Sequence, residues 1–251
     1  MSTLIFLSSC SGTNKNTNNS SEEIQKEEIV QVETNYTNDF NHSLWNSLLQ
    51  KHVSSQGNVN YKDFKADESK LKIYCQSLSD NTPKNSWTKA EKLAYWINAY
   101  NAFTVKLIID RYPVKSIKDI SSPWNQRFIK LGDKTYSLND IEHKILRKMD
   151  EPRIHFGIVC ASVSCPKLQN TAFESSKIEV QLSNATKEFL ADPERNNLSQ
   201  NSIRISKIFK WFAKDFKKGG SLIDFLNKYS EITISQNASK RYKNYDWNLN
   251  E

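Results

Sequence analysis

The stretch that decides the fold is LAYWINAYNAFTV, Leu93 to Val105, which is apolar nearly all the way round a helix. Thr88, with Glu91 three positions later, forms a capping box before this stretch, and Tyr112-Pro113 supplies a stop after it. A helix that is apolar on every face belongs in the centre of a domain. The pattern therefore predicts a long buried helix between Thr88 and Tyr112.

Two amides interrupt this apolar helix. Asn98 and Asn101 lie three positions apart and so share one face. A buried amide without a partner costs about 1–3 kcal/mol, so each must find hydrogen bonds. Two hypotheses follow: the amides bind the backbone of a neighbouring loop, or one of them orients a catalytic ring or donates to an oxyanion.

A second helix is expected to open at Ser137, and it carries a carboxylate on its apolar face. Winding the chain at about 100° per residue puts Glu142 in the middle of that face. A buried carboxylate must be paired, protonated or ligated, so we expect Glu142 to meet Arg153, His155 or the two amides. His143 lies on the flank of the same helix.

Alternating side chains from Arg153 to Cys160 predict a strand, with His155 and Gly157 on one face. Gly157 has no side chain, so a helix, a backbone or a ligand must cover that part of the strand. The small residues that follow, up to Cys165, predict a loop whose N–H groups can hold an anion or a carbonyl oxygen.

This crowding of thiols, imidazoles and a carboxylate is compatible with a thiol-dependent hydrolase or acyl transferase. One thiol would attack a carbonyl, one imidazole would accept its proton, and a polar group would orient the base. The candidate catalytic residues are Cys160, Cys165, His143, His155 and Glu142. The candidate orienting or oxyanion-stabilising residues are Asn98, Asn101 and Ser162.

The second hypothesis is a binding or accessory module in which Cys160 and Cys165 form a disulfide that rigidifies their loop. A third is zinc held by a histidine and the two cysteines, but no second cysteine pair supports it. Of the three, the sequence favours the disulfide-bridged binding module, with thiol catalysis as the alternative and no metal or cofactor expected.

The N-terminus resembles a bacterial lipobox, because an apolar run from Leu4 closes on small residues and Cys10. Lipidation of Cys10 would anchor the protein to a lipid bilayer at the bacterial cell envelope. The departure is that Met1-Ser2-Thr3 supplies no positive charge. Residues 11–38 are polar, with hardly an apolar anchor, and are expected to be a disordered tether.

Charge and motifs exclude several function classes. The formal net charge is +7, but the basic residues are dispersed and no aromatic residues interleave with them, so no nucleic-acid partner is expected. No Gly-rich phosphate loop, dinucleotide fingerprint or internal repeat is present. Apart from the lipid bilayer, the expected binding partner is therefore an unidentified protein or a small-molecule ligand.

The patterns predict a helix-dominated α+β fold, with a small mixed or antiparallel sheet around the central buried helix. Gly132-Asp133 between short apolar runs predicts a hairpin within residues 129–136. The expected organisation is a signal segment at 1–10, a tether at 11–38 and a single globular domain at 39–251.

Several blocks of the chain together resemble the domain-of-unknown-function 547 family. The blocks are Trp96-Ile97-Asn98-Ala99-Tyr100-Asn101, Ser137 to His143, Arg153-Ile154-His155-Phe156 and Cys160 to Pro166, with later ones at Ser206 to Trp211, Asp215-Phe216 and Tyr245-Asp246-Trp247. Their order and spacing match as well, so the resemblance covers about Leu44 to Asn250. It implies the positions of the blocks, but neither an activity nor assigned catalytic residues.

Overall fold

The structure is a computed structural model that describes residues 39–251. The lipidation predicted at Cys10 and the tether predicted at 11–38 lie outside the described residues. The α-helices are α1 Ser43–His52, α2 Tyr61–Ala66, α3 Glu68–Asp80, α4 Lys89–Arg111, α5 Ile154–Gly157, α6 Ile178–Ala191, α7 Ile208–Trp211 and α8 Leu222–Tyr229. Single 3₁₀ or π turns lie at Ile117–Asp119, Asp140–Ile145, Leu146–Met149, Ser175–Lys177 and Asp215–Lys217.

The α4 helix is the central element, as the sequence predicts. Thr88 caps it with both hydrogen bonds of the capping box, and Tyr112 ends it in an extended conformation. Every side chain from Leu93 to Val105 is buried. Helices α2 and α3 and the turns around 140–149 pack against it, so α4 is the axis on which the rest is placed.

The strands form two small sheets in the described part of the chain. The strands are β1 Ile129–Leu131, β2 Lys134–Tyr136, β3 Asn197–Leu198, β4 Ser202–Ile205 and β5 Ser239–Tyr242. The first sheet is the predicted hairpin, in which Ile129 pairs with Tyr136 across Gly132 at φ 57°. In the second, β4 pairs antiparallel with β3 and parallel with β5. The helix-dominated α+β fold is therefore confirmed.

The strand predicted from Arg153 to Cys160 is wrong, because residues 154–157 form the short helix α5. All residues from Arg153 to Val159 are buried, so the apparent alternation does not separate two faces. The expectation that something covers Gly157 is confirmed: a Cβ there would lie 3.2 Å from Leu182 and 3.3 Å from Phe173. Side chains packed from elsewhere, not a neighbouring strand, determine this segment.

Two apolar clusters build the core of residues 39–251. The larger is centred on α4, and the smaller joins Phe156 to α6, β4, α7 and α8. No helix among the described residues is long and apolar enough to cross a membrane. The candidate site lies where the two clusters meet, since its walls take residues from both.

Candidate functional site

A cavity of about 220 Å³ collects most of the residues that the sequence singled out. Its carboxylate, imidazole and thiol lining residues are Glu142, His143, His155, Cys160 and Cys165. Its aromatic lining residues are Tyr100, Trp124, Trp211, Phe212, Tyr245 and Trp247. A concave, mostly apolar pocket with a few convergent titratable groups is the usual form of an active or ligand-binding site.

The Cys160 sulfur is at the centre of a small donor cluster. Its Sγ lies 3.0 Å from Cys165 Sγ, 3.1 Å from Ser162 Oγ and 3.3 Å from the Tyr245 hydroxyl. Hydrogen bonding with the Cys165 thiol, and with the hydroxyl groups of Ser162 and Tyr245, lowers the pKa of Cys160 in spite of its burial. The half-buried Cys160 is therefore the thiol of this pocket that ionises first.

Cys165 has the opposite character. It is buried, its sulfur accepts a hydrogen bond from the Cys160 amide at 2.9 Å, and burial raises its pKa well above the ordinary thiol value. The disulfide expected between the two cysteines is absent, since both are free thiols in the structure. Their sulfurs stand 3.0 Å apart, in hydrogen-bonding contact but beyond the bond length of about 2.05 Å.

The loop between the cysteines is held by the last residues of the chain. The amides of Val163 and Ser164 donate to the carbonyls of Asn248 and Asp246 at 2.8 and 3.2 Å. The Cys165 amide donates within the loop, to the carbonyl of Ser162. Three amides that the sequence offered for an oxyanion hole are therefore already occupied, and the pairing fixes the position of Cys160.

Glu142 is buried, as predicted from helical winding, but its partner is not among the expected residues. It lies in the π turn Asp140–Ile145, and its Oε2 accepts a long hydrogen bond of 3.4 Å from the Tyr100 hydroxyl. Its Oε1 has no hydrogen-bond partner among the described residues. Arg153 is engaged elsewhere, by Glu151 and Glu179. Burial raises the pKa of Glu142 to about 7, against the opposing charge of Arg147.

His155 is held firmly by a carboxylate and a ring. Its Nε2 lies 2.9 Å from Asp215 Oδ2, and its ring stacks on Phe212 with the centroids 4.0 Å apart. Burial lowers the pKa of His155, although Asp215 opposes this. Because an ionised carboxylate only accepts, the proton of neutral His155 is on Nε2, and Nδ1 keeps a lone pair.

The sequence draws attention to Asp215 only as part of a block that resembles the family, and the structure places this carboxylate beside His155. It is buried, and Arg147 binds both of its oxygens, at 2.6 and 3.1 Å. Burial alone would raise the pKa of Asp215, but hydrogen bonds from His155 and Arg147 hold it below the ordinary value. Distant residues 147, 155 and 215 thus form one network, which spacing along the chain does not indicate.

His143 is partly exposed and is hydrogen-bonded to the Arg147 guanidinium nitrogen that does not bind Asp215. The guanidinium Nη1 lies 2.9 Å from His143 Nδ1. A guanidinium only donates, so Nδ1 is the acceptor and the neutral ring carries its proton on Nε2. Burial and the charge of Arg147 lower the pKa of His143. It is therefore an N–H donor toward the pocket and not a base poised for a thiol.

Among the described residues, neither imidazole makes a hydrogen bond to a sulfur. The Cys160 sulfur contacts Cys165, Ser162 and Tyr245 instead. The pocket brings the five candidate catalytic residues together, but the expected thiol–imidazole pair is not formed. A nucleophile here gains its ionisation from hydrogen-bond donors and not from an adjacent histidine.

The two amides of α4 bind backbone. Asn98 forms a hydrogen-bond pair with the Phe173 carbonyl and amide, at 2.8 and 3.0 Å. Asn101 donates to the Gly157 carbonyl and accepts from the Val159 amide, at 2.8 and 3.0 Å. Asn101 therefore fixes the backbone just before Cys160. Among the described residues, neither amide forms a hydrogen bond to a candidate catalytic side chain.

The aromatic residues at the pocket mouth were missed by the sequence reasoning, and we call them the aromatic rim: Trp124, Trp211, Tyr245 and Trp247. Their ring centroids lie 4.6–5.8 Å apart in contacting pairs. Trp211 is 45% exposed. The signal that could have indicated them is the unusual density of aromatic residues in 245–247, close to the end of the chain.

No group of three or more histidine, cysteine, aspartate or glutamate side chains within residues 39–251 is arranged to hold a metal ion. The fold and site thus define a helix-dominated α+β protein with a cysteine-containing, aromatic-rimmed pocket.

Comparison with known families agrees with the resemblance noted in the sequence. Residues 84–190 match the family described as "Protein of unknown function, DUF547". This segment contains all eight candidate site residues from Asn98 to Cys165, but not Asp215 or three of the four rim residues. No match is found among the curated proteins or among the solved structures. The comparisons therefore assign no activity.

Proposed function

We propose that the protein is a thiol-dependent hydrolase or acyl transferase in which Cys160 is the nucleophile. The observation that carries this proposal is the donor cluster around the Cys160 sulfur, which lies in a pocket and lowers the pKa of that thiol. Structural cysteines are buried and inert, whereas reactive ones have a depressed pKa and partial exposure. Cys165 then acts as a donor to the thiolate and not as a second nucleophile.

Glu142 is the proton carrier in this proposal. The pocket lowers the pKa of Cys160 and raises that of Glu142 to about 7. A pair of titratable groups whose pKa values are pushed apart in opposite directions is the arrangement that acid–base catalysis uses. Near pH 7 the thiolate can coexist with a protonated carboxyl group on the same cavity wall.

The reaction then proceeds in two balanced steps. The Cys160 thiolate attacks the acyl carbon, the bond to the leaving group breaks, and the leaving group takes the Glu142 proton. Water or another acceptor then attacks the thioester and gives its proton back to Glu142, which releases the acid or the new acyl product and restores the thiolate. His143 Nε2–H is available to donate to the carbonyl oxygen, and His155 Nδ1 to accept from the attacking water.

Alkylation rates test the nucleophile. Iodoacetamide followed by peptide mass mapping should modify Cys160 fastest at pH 7, and Cys160→Ser should abolish the fast phase. Cys75 is the matched internal control, because it is buried and burial raises its pKa to about 12. Cys165→Ala removes the thiol donor, so it should slow modification of Cys160 at pH 7. Equal, slow modification of Cys160 and Cys75 would contradict the proposal.

A second candidate function is the binding or accessory module with a Cys160–Cys165 disulfide, favoured by the 3.0 Å contact between the sulfurs. In thiol–disulfide exchange with oxidised glutathione, the two thiols would lose two protons and two electrons while glutathione is reduced. A protein purified from an oxidising compartment with this pair bridged, and resistant to iodoacetamide, would support the module over the enzyme.

We further propose that the protein is anchored to the bacterial cell envelope by a lipid on Cys10, with residues 1–10 as signal segment, 11–38 as tether and 39–251 as the folded domain. The lipobox-like run ending at Cys10 supports this. Metabolic labelling with a fatty-acid probe should mark the full chain, and Cys10→Ala should remove the label. An unlabelled wild-type chain would contradict the anchor.

A further inference from the structure

We propose that the pocket binds an alkylammonium group, paired with Glu142 and enclosed by the aromatic rim. This inference rests on the proposed function and names its substrate class: the amide of an alkylamine, whose amine half occupies the space between Glu142 and the rim. The features that carry it are the carboxylate oxygen without a hydrogen bond, the ring cluster and, within residues 39–251, a pocket lining without lysine or arginine.

The first feature is the Oε1 atom of Glu142. It is buried and has no hydrogen-bond partner among the described residues, although its side chain lines the cavity. A buried carboxylate oxygen left unpaired costs free energy that a donor from a ligand would recover. An ammonium group supplies both the donor and the charge that this oxygen lacks.

The nearby cations of the protein are committed elsewhere. Arg147 binds Asp215 through two nitrogens and reaches His143 with the third. The lining of the cavity includes no lysine or arginine among the described residues. His143 Nδ1 lies 4.0 Å from Glu142 Oε1, but it accepts a hydrogen bond from Arg147 and so carries no proton of its own. An entering ammonium group therefore meets no competing donor at that oxygen.

The second feature is the aromatic rim. Indole and phenol rings attract cations through their faces, and rings grouped around a concave site are the usual receptor for alkylammonium groups. The rim already holds one cation in this structure, since Lys118 Nζ lies 4.1 Å from the centroid of Trp247. Trp211 is 45% exposed, which leaves ring surface available at the mouth.

The position of the rim connects this subsite to the nucleophile. The Tyr245 hydroxyl is 3.3 Å from Cys160 Sγ, and the Tyr245 ring is 4.6 Å from that of Trp247. When the thiolate breaks an amide bond, the leaving nitrogen takes the Glu142 proton and then a second proton from water. The products on the enzyme are a thioester, an alkylammonium ion and the Glu142 carboxylate that pairs with it.

The experiment measures binding of n-butylammonium chloride to the full chain by intrinsic tryptophan fluorescence and by protection of Cys160 against iodoacetamide. Potassium chloride at equal ionic strength and 1-butanol, the neutral analogue, are the controls. We expect saturable quenching and at least a fivefold protection by the ammonium ion alone. Glu142→Gln should weaken its binding at least tenfold, and Trp211→Ala several-fold.

Glu194→Gln is the matched control, because Glu194 is exposed and forms no ion pair among the described residues. Glu142→Asp keeps the charge and should retain part of the affinity if Glu142→Gln does not fold. Equal binding of 1-butanol, or unchanged ammonium binding in Glu142→Gln, would overturn the inference. Fast alkylation of Cys160 without ammonium binding would overturn the inference alone, whereas ammonium binding beside an unreactive Cys160 would overturn the proposed function alone.

Discussion

Replacing Glu142 with glutamine should change how the stability of the protein depends on pH. Glu142 is 7% exposed, and burial raises its pKa from 4.5 to about 7. Well below pH 4.5 the carboxyl group is protonated in both the folded and the unfolded chain, so it makes no pH-dependent contribution to the free energy of unfolding. Above that pH the unfolded chain releases the proton while the folded chain keeps it, so stability falls as pH rises toward about 7.

The magnitude follows from the two pKa values. Each pKa unit corresponds to about 1.36 kcal/mol, so the full penalty above pH 7 is about 3 kcal/mol. Glutamine keeps the acceptor for Tyr100 and cannot ionise. The stability of Glu142→Gln relative to the wild type should therefore increase by about 3 kcal/mol between pH 4.5 and pH 8. Any cost of burying the glutamine amide without a partner is the same at each pH, so it cancels from the change in relative stability between pH 4.5 and pH 8.

Urea denaturation of both proteins at half-unit steps from pH 4.5 to 8.5 measures the difference. Other titrating groups occur in both proteins, so their contributions largely cancel. In thermal unfolding at pH 8 the same effect corresponds to a gain of roughly 5–10 °C relative to the offset at pH 4.5. A relative stability that stays constant across this range would refute the assignment of Glu142 as a buried, unpaired carboxyl group.

Four further substitutions test the network, the amide and two glycine turns. Asp215→Asn should destabilise the fold by about 2–3 kcal/mol at pH 7, because it removes the carboxylate charge that binds the buried His155 and the partly exposed Arg147. Since the pKa of Asp215 is lowered, the difference should fade in acid, and a loss independent of pH in urea titrations would contradict this. Asn101→Ala removes two buried hydrogen bonds to the backbone, so we expect about 2–4 kcal/mol of destabilisation and slower alkylation of Cys160. Unchanged alkylation would show that Asn101 does not position Cys160. Gly57→Ala places a Cβ 2.3 Å from the Lys167 side chain at φ +85°, whereas the nearest atom to a Cβ at Gly132, at φ +57°, is 3.5 Å away. Calorimetry should show a loss of stability of about 1 kcal/mol for Gly132→Ala and a clearly larger loss for Gly57→Ala. Equal losses would mean that the contact with Lys167 relaxes freely.

The parts of the fold that follow from local pattern were predictable. The capping box at Thr88 and the all-round apolar run located α4, and helical winding placed Glu142 on a buried face. These inferences need only the periodicity of one element. The partner of Glu142 was not predictable, because it depends on which side chain of α4 faces the π turn, and that side chain is Tyr100.

The predictions that failed needed knowledge of packing. Residues 153–159 alternate between two patterns in sequence but are all buried, so the alternation does not mark a solvent-facing side of a strand. The difference between Cys160 and Cys165 arises from the hydrogen bond between the two thiols and from the burial of Cys165, with further hydrogen bonds to Cys160 from Ser162 and Tyr245. Tyr245 comes 80 residues after Cys165 in the chain. Likewise, the aromatic rim joins residues from 124 to 247, which no local window contains.

The pairing of residues 246–250 with the cysteine loop has a consequence for the order in which the site can form. Ser162 pairs with Leu249, and the Asn250 amide donates to the Ala161 carbonyl, while its side chain accepts from Tyr61. During synthesis, Cys160 and Glu142 leave the ribosome long before these residues do. The cysteine loop of a nascent chain therefore stays unpaired until residues 246–250 have emerged, so any reactivity of Cys160 arises late and the 84–190 segment alone should not possess it.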